Sequence, residues 1–165
     1  MANFSFDVVS EFDKAEMNNA IDQAKREMSN RYDFKGTSAA IDWIDDDKNG
    51  LKVTGDGDWQ IDAILDIIRK KLASRNISQK VLDTSKESAT NNLKTTKQVP
   101  FVQGLDQDKA KKITKLIRED LPKVKTQIQG EEVRVTSAKK DELQAAMQIL
   151  RGKDFDFPIH FTNFR

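Results

Sequence analysis

One short segment, residues 31–36 with the sequence RYDFKG, combines cationic, aromatic and acidic side chains. Arg31 and Lys35 can bind a phosphate, and Tyr32 or Phe34 can stack on a nucleobase. Asp33 could accept hydrogen bonds from the N1–H and amino groups of a guanine. The alternative is a packed loop, with Phe34 in the core and Arg31 paired to Asp33.

A second set of polar and aromatic groups lies near the end of the chain. Residues 163–165 supply an amide, an aromatic ring and a guanidinium, and their alternative role is to end a strand that closes a sheet. The lysine pairs at 111–112 and 139–140 lie near the N-terminal turns of two predicted helices, which attract anions. Charged helix surfaces are usually only solvated, which is the alternative for both pairs.

The residue inventory gives little support for catalysis or metal binding. The chain has no cysteine and one histidine, His160, which alternates with Ile159 and Phe161 and should point away from the core. No glycine-rich phosphate loop is present. We therefore expect no catalytic residue, no metal and no cofactor.

Composition describes a chain with a well-solvated surface and no strong charge bias. Of the 165 residues 33% are charged, and 28 Lys and Arg balance 27 Asp and Glu to a net charge of +1. A protein that coats nucleic acid through charge alone would be far more basic. The N-terminal residues lack the basic and apolar regions of a signal peptide, and no apolar run is long enough to span a bilayer. We expect a cytoplasmic protein that does not bind membranes.

Hydrophobic periodicity predicts an α+β fold. In the first half, residues 4–8 alternate like a strand, and Asp13 with Glu16 forms a capping box for a helix that ends near residue 30. Two alternating runs flank Asn49-Gly50, a hairpin signal, and a second helix follows residue 58. A short strand is predicted at residues 77–82, and the polar residues 83–97 are predicted to form an exposed linker.

The same succession of elements recurs in the second half. A strand at residues 98–102 precedes a helix that starts at Leu105-Asp106, a hairpin follows over residues 124–135, and Ser137 can cap the last helix. Residues 157–161 alternate as a closing strand. The hairpin sequence LKVT at 51–54 matches VRVT at 133–136, whereas the first helices align with an offset 11 residues larger. This order predicts a duplicated β-α-β-β-α-β unit, with an insert in the first copy that contains residues 31–37.

Six separate segments stand out along the whole chain: SFDVVSE at 5–11, RYDFKG at 31–36, QGLD at 103–106, AKKI at 110–113, IQGEEVRV at 128–135 and PIHFTNFR at 158–165. In this order they resemble the signatures of the YajQ family.

The resemblance implies two ferredoxin-like domains, of the kind also found in RNA-recognition modules, with their first strands exchanged. The first domain would comprise residues 10–97 completed by the strand at 98–102, and the second would comprise residues 103–165 completed by the strand at 3–9. Pro100 departs from the family pattern and, lacking an N–H, suits an edge or a strand end. The resemblance also implies nucleotide binding, and some relatives are taken to be cyclic di-GMP effectors.

The functional hypothesis places a nucleotide site where the 31–36 loop meets the exchanged first strand and the C-terminal strand. The ligand would be cyclic di-GMP or another guanine nucleotide, and the protein would act without catalysis on a partner protein. An RNA-binding module is the alternative, supported by the fold class, although the near-zero charge and the absence of the RNA-recognition consensus count against it. The predicted nucleotide-binding residues are Asp7, Ser10, Arg31, Asp33, Phe34, Lys112, Phe161, Asn163 and Arg165.

Overall fold

The structure is a computed structural model that describes residues 3–165. Within that range the chain forms four α-helices and two four-stranded antiparallel sheets, which confirms the mixed α+β class. Two compact units emerge: a contiguous unit, Phe12–Val102, and a two-segment unit made of residues 3–11 and Gln103–Arg165. In chain order the elements are β1 (Phe4–Val9), α1 (Lys14–Asn30), β2 (Ala40–Trp43), β3 (Gly50–Gly55), α2 (Asp58–Ser74), β4 (Ala89–Asn91), β5 (Lys94–Pro100), α3 (Gln107–Asp120), β6 (Lys125–Gln129), β7 (Glu132–Ser137), α4 (Lys140–Gly152) and β8 (His160–Thr162).

The start and the end of α1 follow the sequence prediction. The carboxylate of Asp13 accepts hydrogen bonds from the backbone N–H groups of Ala15 and Glu16, at 2.9 and 3.1 Å. These bonds satisfy amides that the first helical turn leaves without a partner. The buried residues of α1 recur at helical spacing and form one stripe against the core: Met17, Ala20, Ile21, Ala24 and Met28.

In the contiguous unit the strands lie in the order β2-β3-β5-β4. The predicted hairpin of β2 and β3 is confirmed, but Asn49-Gly50 does not form its turn alone. Gly50 is the first residue of β3, and the positive φ of 58° belongs to Lys48. The connection is longer because the Asp45 carboxylate accepts the Asn49 N–H at 3.0 Å, and this bond stabilises a wider loop.

Two further predictions for this unit are wrong. Residues 77–82 contain a 3-10 helical turn at Gln79–Val81 instead of a strand. The predicted linker at 83–97 contains β4 and most of β5, so the strand expected at 98–102 is Lys94–Pro100, with Pro100 at its end. Polar side chains do not prevent strand pairing here, because the ladder is made by backbone groups and β4 lies at the sheet edge with all its residues exposed.

In the two-segment unit the strands lie in the order β6-β7-β1-β8. The N-terminal strand, predicted at 3–9, is Phe4–Val9 and lies between β7 and β8. Its Phe6 and Val8, and Val133 and Val135 of β7, are fully buried on the sheet face that packs against α3 and α4. The closing strand is shorter than predicted, because Phe157 is buried outside it and β8 begins at His160.

Candidate functional site

Asp7 is a buried carboxylate at the centre of the two-segment sheet. It is 1% exposed and lies opposite Arg134 of β7. The Arg134 guanidinium donates to both carboxylate oxygens, Nε to Oδ1 at 3.0 Å and Nη2 to Oδ2 at 3.4 Å, and Asn163 Nδ2 donates to Oδ2 at 2.9 Å. The bonds from Arg134 lower the pKa of Asp7 against the opposing effect of burial, and Asn163 lowers it further. Asp7 therefore holds Arg134 and Asn163 in place, and its oxygens are already engaged.

The C-terminal segment, residues 160–165, runs beside β1, and its two aromatic rings differ in how exposed they are. The backbone of Arg165 pairs with that of Ser5 through two hydrogen bonds, at 3.0 and 3.2 Å. Phe161 packs edge-to-face on Phe6, with centroids 5.3 Å apart, and the Arg151 guanidinium lies 5.1 Å from its ring centre. Phe164 is also near Phe6, at 6.2 Å, yet is 62% exposed. Phe161 is thus a packed ring, whereas Phe164 has a ring that a ligand can reach.

A surface groove of about 300 Å³, the C-terminal groove, lies beside this segment. Its apolar floor includes Leu143 and Met147, which are 6% and 8% exposed. Lys140 is the first residue of α4, and its ammonium lies 4.9 Å from the ring centre of Phe4. An apolar floor, a reachable ring and two cations can hold a flat base and an anion. The lining residues are Phe4, Ser5, Lys140, Leu143, Gln144, Met147, Phe164 and Arg165.

The 31–36 loop has the packed arrangement of the alternative prediction. Arg31 and Asp33 form a bidentate pair at 3.1 and 3.0 Å, which raises the pKa of Arg31 and lowers that of Asp33. The Arg31 guanidinium lies 5.1 Å from the ring centre of Phe34, which is only 6% exposed. The exposed ring of this loop is Tyr32, at 89%. A ligand that used Arg31 or Asp33 would have to compete with their mutual pairing.

A second groove, the β2 groove, lies beside this loop in the contiguous unit and measures about 380 Å³. Phe34 contributes to its wall although most of the ring is buried. The lining residues are Lys25, Met28, Ser29, Phe34, Lys35, Ala39, Ala40 and Ile41.

Ser10 and Lys112 lie in other parts of the two-segment unit. Ser10 is 2% exposed, its carbonyl accepts the Gly104 N–H at 2.5 Å, and its Oγ has no hydrogen-bond partner in the described chain. It lines a cavity of about 330 Å³ together with Glu11, Glu131 and Glu132, whose charges disfavour phosphate.

Lys112 is exposed and lines a depression of about 460 Å³ with Lys115 and Lys153. The helix α3 begins at Gln107, so Lys112 lies in its second turn, next to the N-terminal turn as predicted.

The structure gathers the predicted site residues into separate groups. Asp7 and Asn163 contact each other beside Phe161 and Arg165, and Arg31, Asp33 and Phe34 contact one another in the other unit. The nucleotide site predicted where the 31–36 loop meets the first strand and the C-terminal strand stays a prediction. Sequence reasoning missed Arg134, Gln144 and Met147. Gln144 had one signal, a spacing that places it one helical turn after Lys140, but this spacing does not show which strand lies beside the helix.

Residues 3–165 contain neither a cluster of metal-binding side chains nor a membrane-spanning helix. Three or more His, Asp or Glu side chains do not come together there in a way that could hold a metal ion. Each helix in this range is too short or too polar to cross a bilayer.

The fold and the groove define a small α+β protein with a surface that can hold an aromatic ring beside an anion. Residues 4–165 match the family model described as nucleotide-binding protein YajQ-like, and the chain belongs to that family. A protein of a Nocardioides species is 42% identical over 166 residues, and one of Nocardia farcinica is 44% identical over 167, each covering 100% of both chains. One of Trichodesmium erythraeum is 41% identical over 161 residues, which is 98% of this chain and 97% of the relative. All three relatives are named nucleotide-binding protein.

Proposed function

We propose that this protein binds a guanine-containing nucleotide, cyclic di-GMP or GTP, in the C-terminal groove and acts without catalysis on a partner protein. Membership in a family described as nucleotide-binding supports the ligand class. The observation that carries the location is the exposed Phe164 ring beside Lys140 and Arg165 above an apolar floor. The 31–36 loop is a weaker candidate because Arg31 and Asp33 neutralise each other and Phe34 is buried.

The contacts available in the C-terminal groove can supply the binding free energy of a ligand only when several of them act together. A base stacked on Phe164 contributes about 1–3 kcal/mol, and a charge-assisted hydrogen bond from Lys140 or Arg165 contributes about 1.5–3 kcal/mol. Micromolar binding needs about 8 kcal/mol after the entropic cost of association. The volume of about 300 Å³ lies at the lower end of small-molecule sites and suits one nucleotide unit.

The preference for guanine rests on the family resemblance, and one polar group of the C-terminal groove is compatible with it. Gln144 is exposed on α4 and its side-chain carbonyl can accept from the N1–H or amino group of a guanine. The same amide can also pair with an adenine, by accepting from its amino group and donating to a ring nitrogen, so the expected tighter binding of GTP than of ATP rests on the family resemblance alone.

RNA binding is the less supported alternative. The helix-free face of β1 and β7 carries Ser5, Asp7, Arg134 and Thr136, since register and pleat place Phe6 and Val8 on the opposite face. RNA-recognition modules stack bases on aromatic residues of their central strands. Within the described strands β1 and β7 that face carries polar side chains and Val9 but no aromatic ring, so RNA would have to bind elsewhere.

We also infer that the two sheets are copies of one ferredoxin-like β-α-β-β-α-β unit with exchanged first strands. The order β2-β3-β5-β4 corresponds position by position to β6-β7-β1-β8 when β5 is matched to β1. Each sheet then holds a hairpin, a first strand contributed from the other half of the sequence, and a last strand at the edge. The similar hairpin sequences at 51–54 and 133–136 support the same interpretation.

Calorimetric titration of the full chain with cyclic di-GMP, GTP and ATP tests the proposed function. We expect Phe164→Ala to weaken binding of the preferred nucleotide about 5- to 150-fold, the equivalent of one lost stacking contact. Tyr32→Ala, which removes an even more exposed ring in the contiguous unit, should leave the affinity unchanged. No heat with any of the three nucleotides would refute nucleotide binding of this kind. A loss with Tyr32→Ala or Arg31→Ala, but not with Phe164→Ala, would move the site to the 31–36 loop.

A further inference from the structure

The strand β2 has one edge without a partner in its sheet. It lies at the end of the order β2-β3-β5-β4, with β3 on its inner side. Ile44 N–H donates to the Gly50 carbonyl at 2.9 Å, and hydrogen-bonded pairs alternate along an antiparallel ladder. The register that pairs Ile41 with Val53 and Trp43 with Leu51 therefore directs the N–H and C=O groups of Ile41 and Trp43 away from β3.

The β2 groove runs along this free edge. Helix α1 supplies one wall through Lys25, Met28 and Ser29, and Ala39–Ile41 supply the other. Met28, Phe34 and Ile41 are 7%, 6% and 4% exposed and make an apolar floor. An open strand edge beside an apolar groove and a helix is the arrangement in which extended peptides add to a sheet, because backbone bonds hold the peptide and the groove takes alternate side chains.

The charged residues that line this groove are both cations. Lys25 Nζ lies 6.0 Å from the ring centre of Trp43, and Lys35 Nζ lies 5.9 Å from that of Tyr32. Lys35 and Tyr32 are exposed, so the positive charge at this end of the groove faces solvent. An acidic peptide is complementary to this charge.

A second copy of the chain fits the edge poorly. Asp42 is exposed at the middle of β2. Antiparallel pairing of two β2 edges centred on this residue would place two aspartates directly opposite each other, and like charges in that position are destabilising. The edge therefore favours a different chain with its own charge pattern.

We propose that the β2 groove binds an extended acidic segment of a partner protein, which adds as a strand to the free edge of β2. One apolar side chain of the segment enters the floor formed by Met28, Phe34 and Ile41. Carboxylates on the same face of the segment lie near Lys25 and Lys35. The opposite face, which meets Asp42, carries neutral residues. This inference does not rest on nucleotide binding, because the groove belongs to the contiguous unit and the C-terminal groove does not.

Fluorescence anisotropy of a labelled peptide with the full chain tests this proposal. The probe is Thr-Glu-Thr-Leu-Thr-Glu-Thr, which places Glu, Leu and Glu on one strand face. We expect it to bind at least about tenfold more tightly than the same peptide with Lys in place of Glu. The double variant Lys25→Glu with Lys35→Glu should reverse that preference. The matched double variant Lys70→Glu with Lys86→Glu, at exposed lysines that do not line the groove, should keep it.

Hydrogen bonding between the backbones of the peptide and β2 can be measured separately from the effect of charge. Amide hydrogen exchange of Ile41 and Trp43 should slow when the acidic peptide is added, and N-methylation of alternate peptide amides on the pairing side should abolish binding. Equal binding of acidic and basic peptides, equal effects of the two double variants, or no binding at millimolar peptide would overturn the proposal. Unchanged exchange at both amides with a bound peptide would overturn strand addition. Concentration-dependent self-association that protects the same amides without peptide would identify a second copy as the occupant.

Discussion

Asp7 and Arg134 show how one ion pair can organise the polar side of a sheet. Asp7 lies on the central strand β1 and is almost completely buried, while the Arg134 side chain is 26% exposed. A buried carboxylate is costly unless its oxygens receive good hydrogen bonds, and Arg134 and Asn163 supply them. Asn163 has a positive φ of 57°, so the bond to Asp7 also supports a backbone conformation that is uncommon outside glycine.

The Asp7 carboxylate should make stability depend on pH. Its pKa lies below its ordinary value of 3.8, so its contribution is fully present above about pH 4 and is lost as the pH falls through the lowered pKa. We expect Asp7→Asn to reduce the free energy of unfolding by about 3 kcal/mol at neutral pH. The difference from the unsubstituted protein should narrow below about pH 4, measured by urea unfolding at pH 7, 5 and 3.

Asp33→Asn is the matched control for this experiment. It also removes a carboxylate that accepts two bonds from an arginine, but both partners of that pair are exposed to solvent. Solvent screens such pairs, so its effect at neutral pH should be much smaller than that of Asp7→Asn. Equal losses from the two substitutions would show that burial does not strengthen the role of Asp7.

At the scale of elements, hydrogen bonds join the end of the insert after α1 to the start of α2 and the residues before it. Gln60 is 0% exposed, its Nε2 donates to Thr37 Oγ1 at 3.1 Å and its Oε1 accepts the Asp56 N–H at 2.8 Å. Ser38 adds two bonds to the Asp56 carboxylate, and these lower the pKa of Asp56. The loop that borders the β2 groove is therefore held at its C-terminal end by a buried amide.

Gln60→Ala should loosen this end of the loop. The substitution leaves the Asp56 N–H without its acceptor and removes one of the bonds of Thr37 Oγ1, at a cost of about 2 kcal/mol in the free energy of unfolding. Amide exchange at residues 37–39 should accelerate, as NMR can measure. Gln60→Glu keeps the acceptor for the Asp56 N–H but loses the donor to Thr37 Oγ1 and places a carboxylate at a buried position, so it should also destabilise the protein at neutral pH. Unchanged exchange in Gln60→Ala would show that other contacts hold the loop.

At the scale of the whole molecule, the two sheets differ in how the chain supplies their strands. The contiguous unit contains every strand of its sheet within Phe12–Val102, whereas the two-segment unit needs β1 between β7 and β8. Without β1, β8 would lose its strand partner and β7 would keep only β6, and the cavity left by Phe6 and Val8 would open the core.

Fragments of the chain should reflect this difference. We expect a fragment of residues 12–102 to fold cooperatively by circular dichroism and thermal unfolding. A fragment of residues 103–165 should stay unfolded until a peptide of residues 3–11 is added, because the peptide supplies the missing central strand. The same peptide with Phe6→Asp is the control and should not restore folding. Cooperative folding of residues 103–165 alone would contradict the importance of β1.

Part of this fold could be predicted from the sequence, because it depends on local interactions. The cap at Asp13, the buried stripe of α1 and the pairing of β2 with β3 depend on residues close together in the chain, and the structure has all three. Periodicity alone failed for β4 and β5, whose polar residues looked like a linker. Family signatures identified the class of protein because they record whole segments and not single contacts.

Only the tertiary structure decided which of the candidate residues have free groups for a ligand. Sequence could not show that Arg134 and Asn163 occupy the Asp7 carboxylate, or that Arg31 and Asp33 pair. It also could not show that the C-terminal groove joins residues from β1, α4 and the last residues of the chain. The physical reason is that helix caps and periodicity are set within a few residues, whereas strand register is set by backbone bonds between segments far apart in sequence.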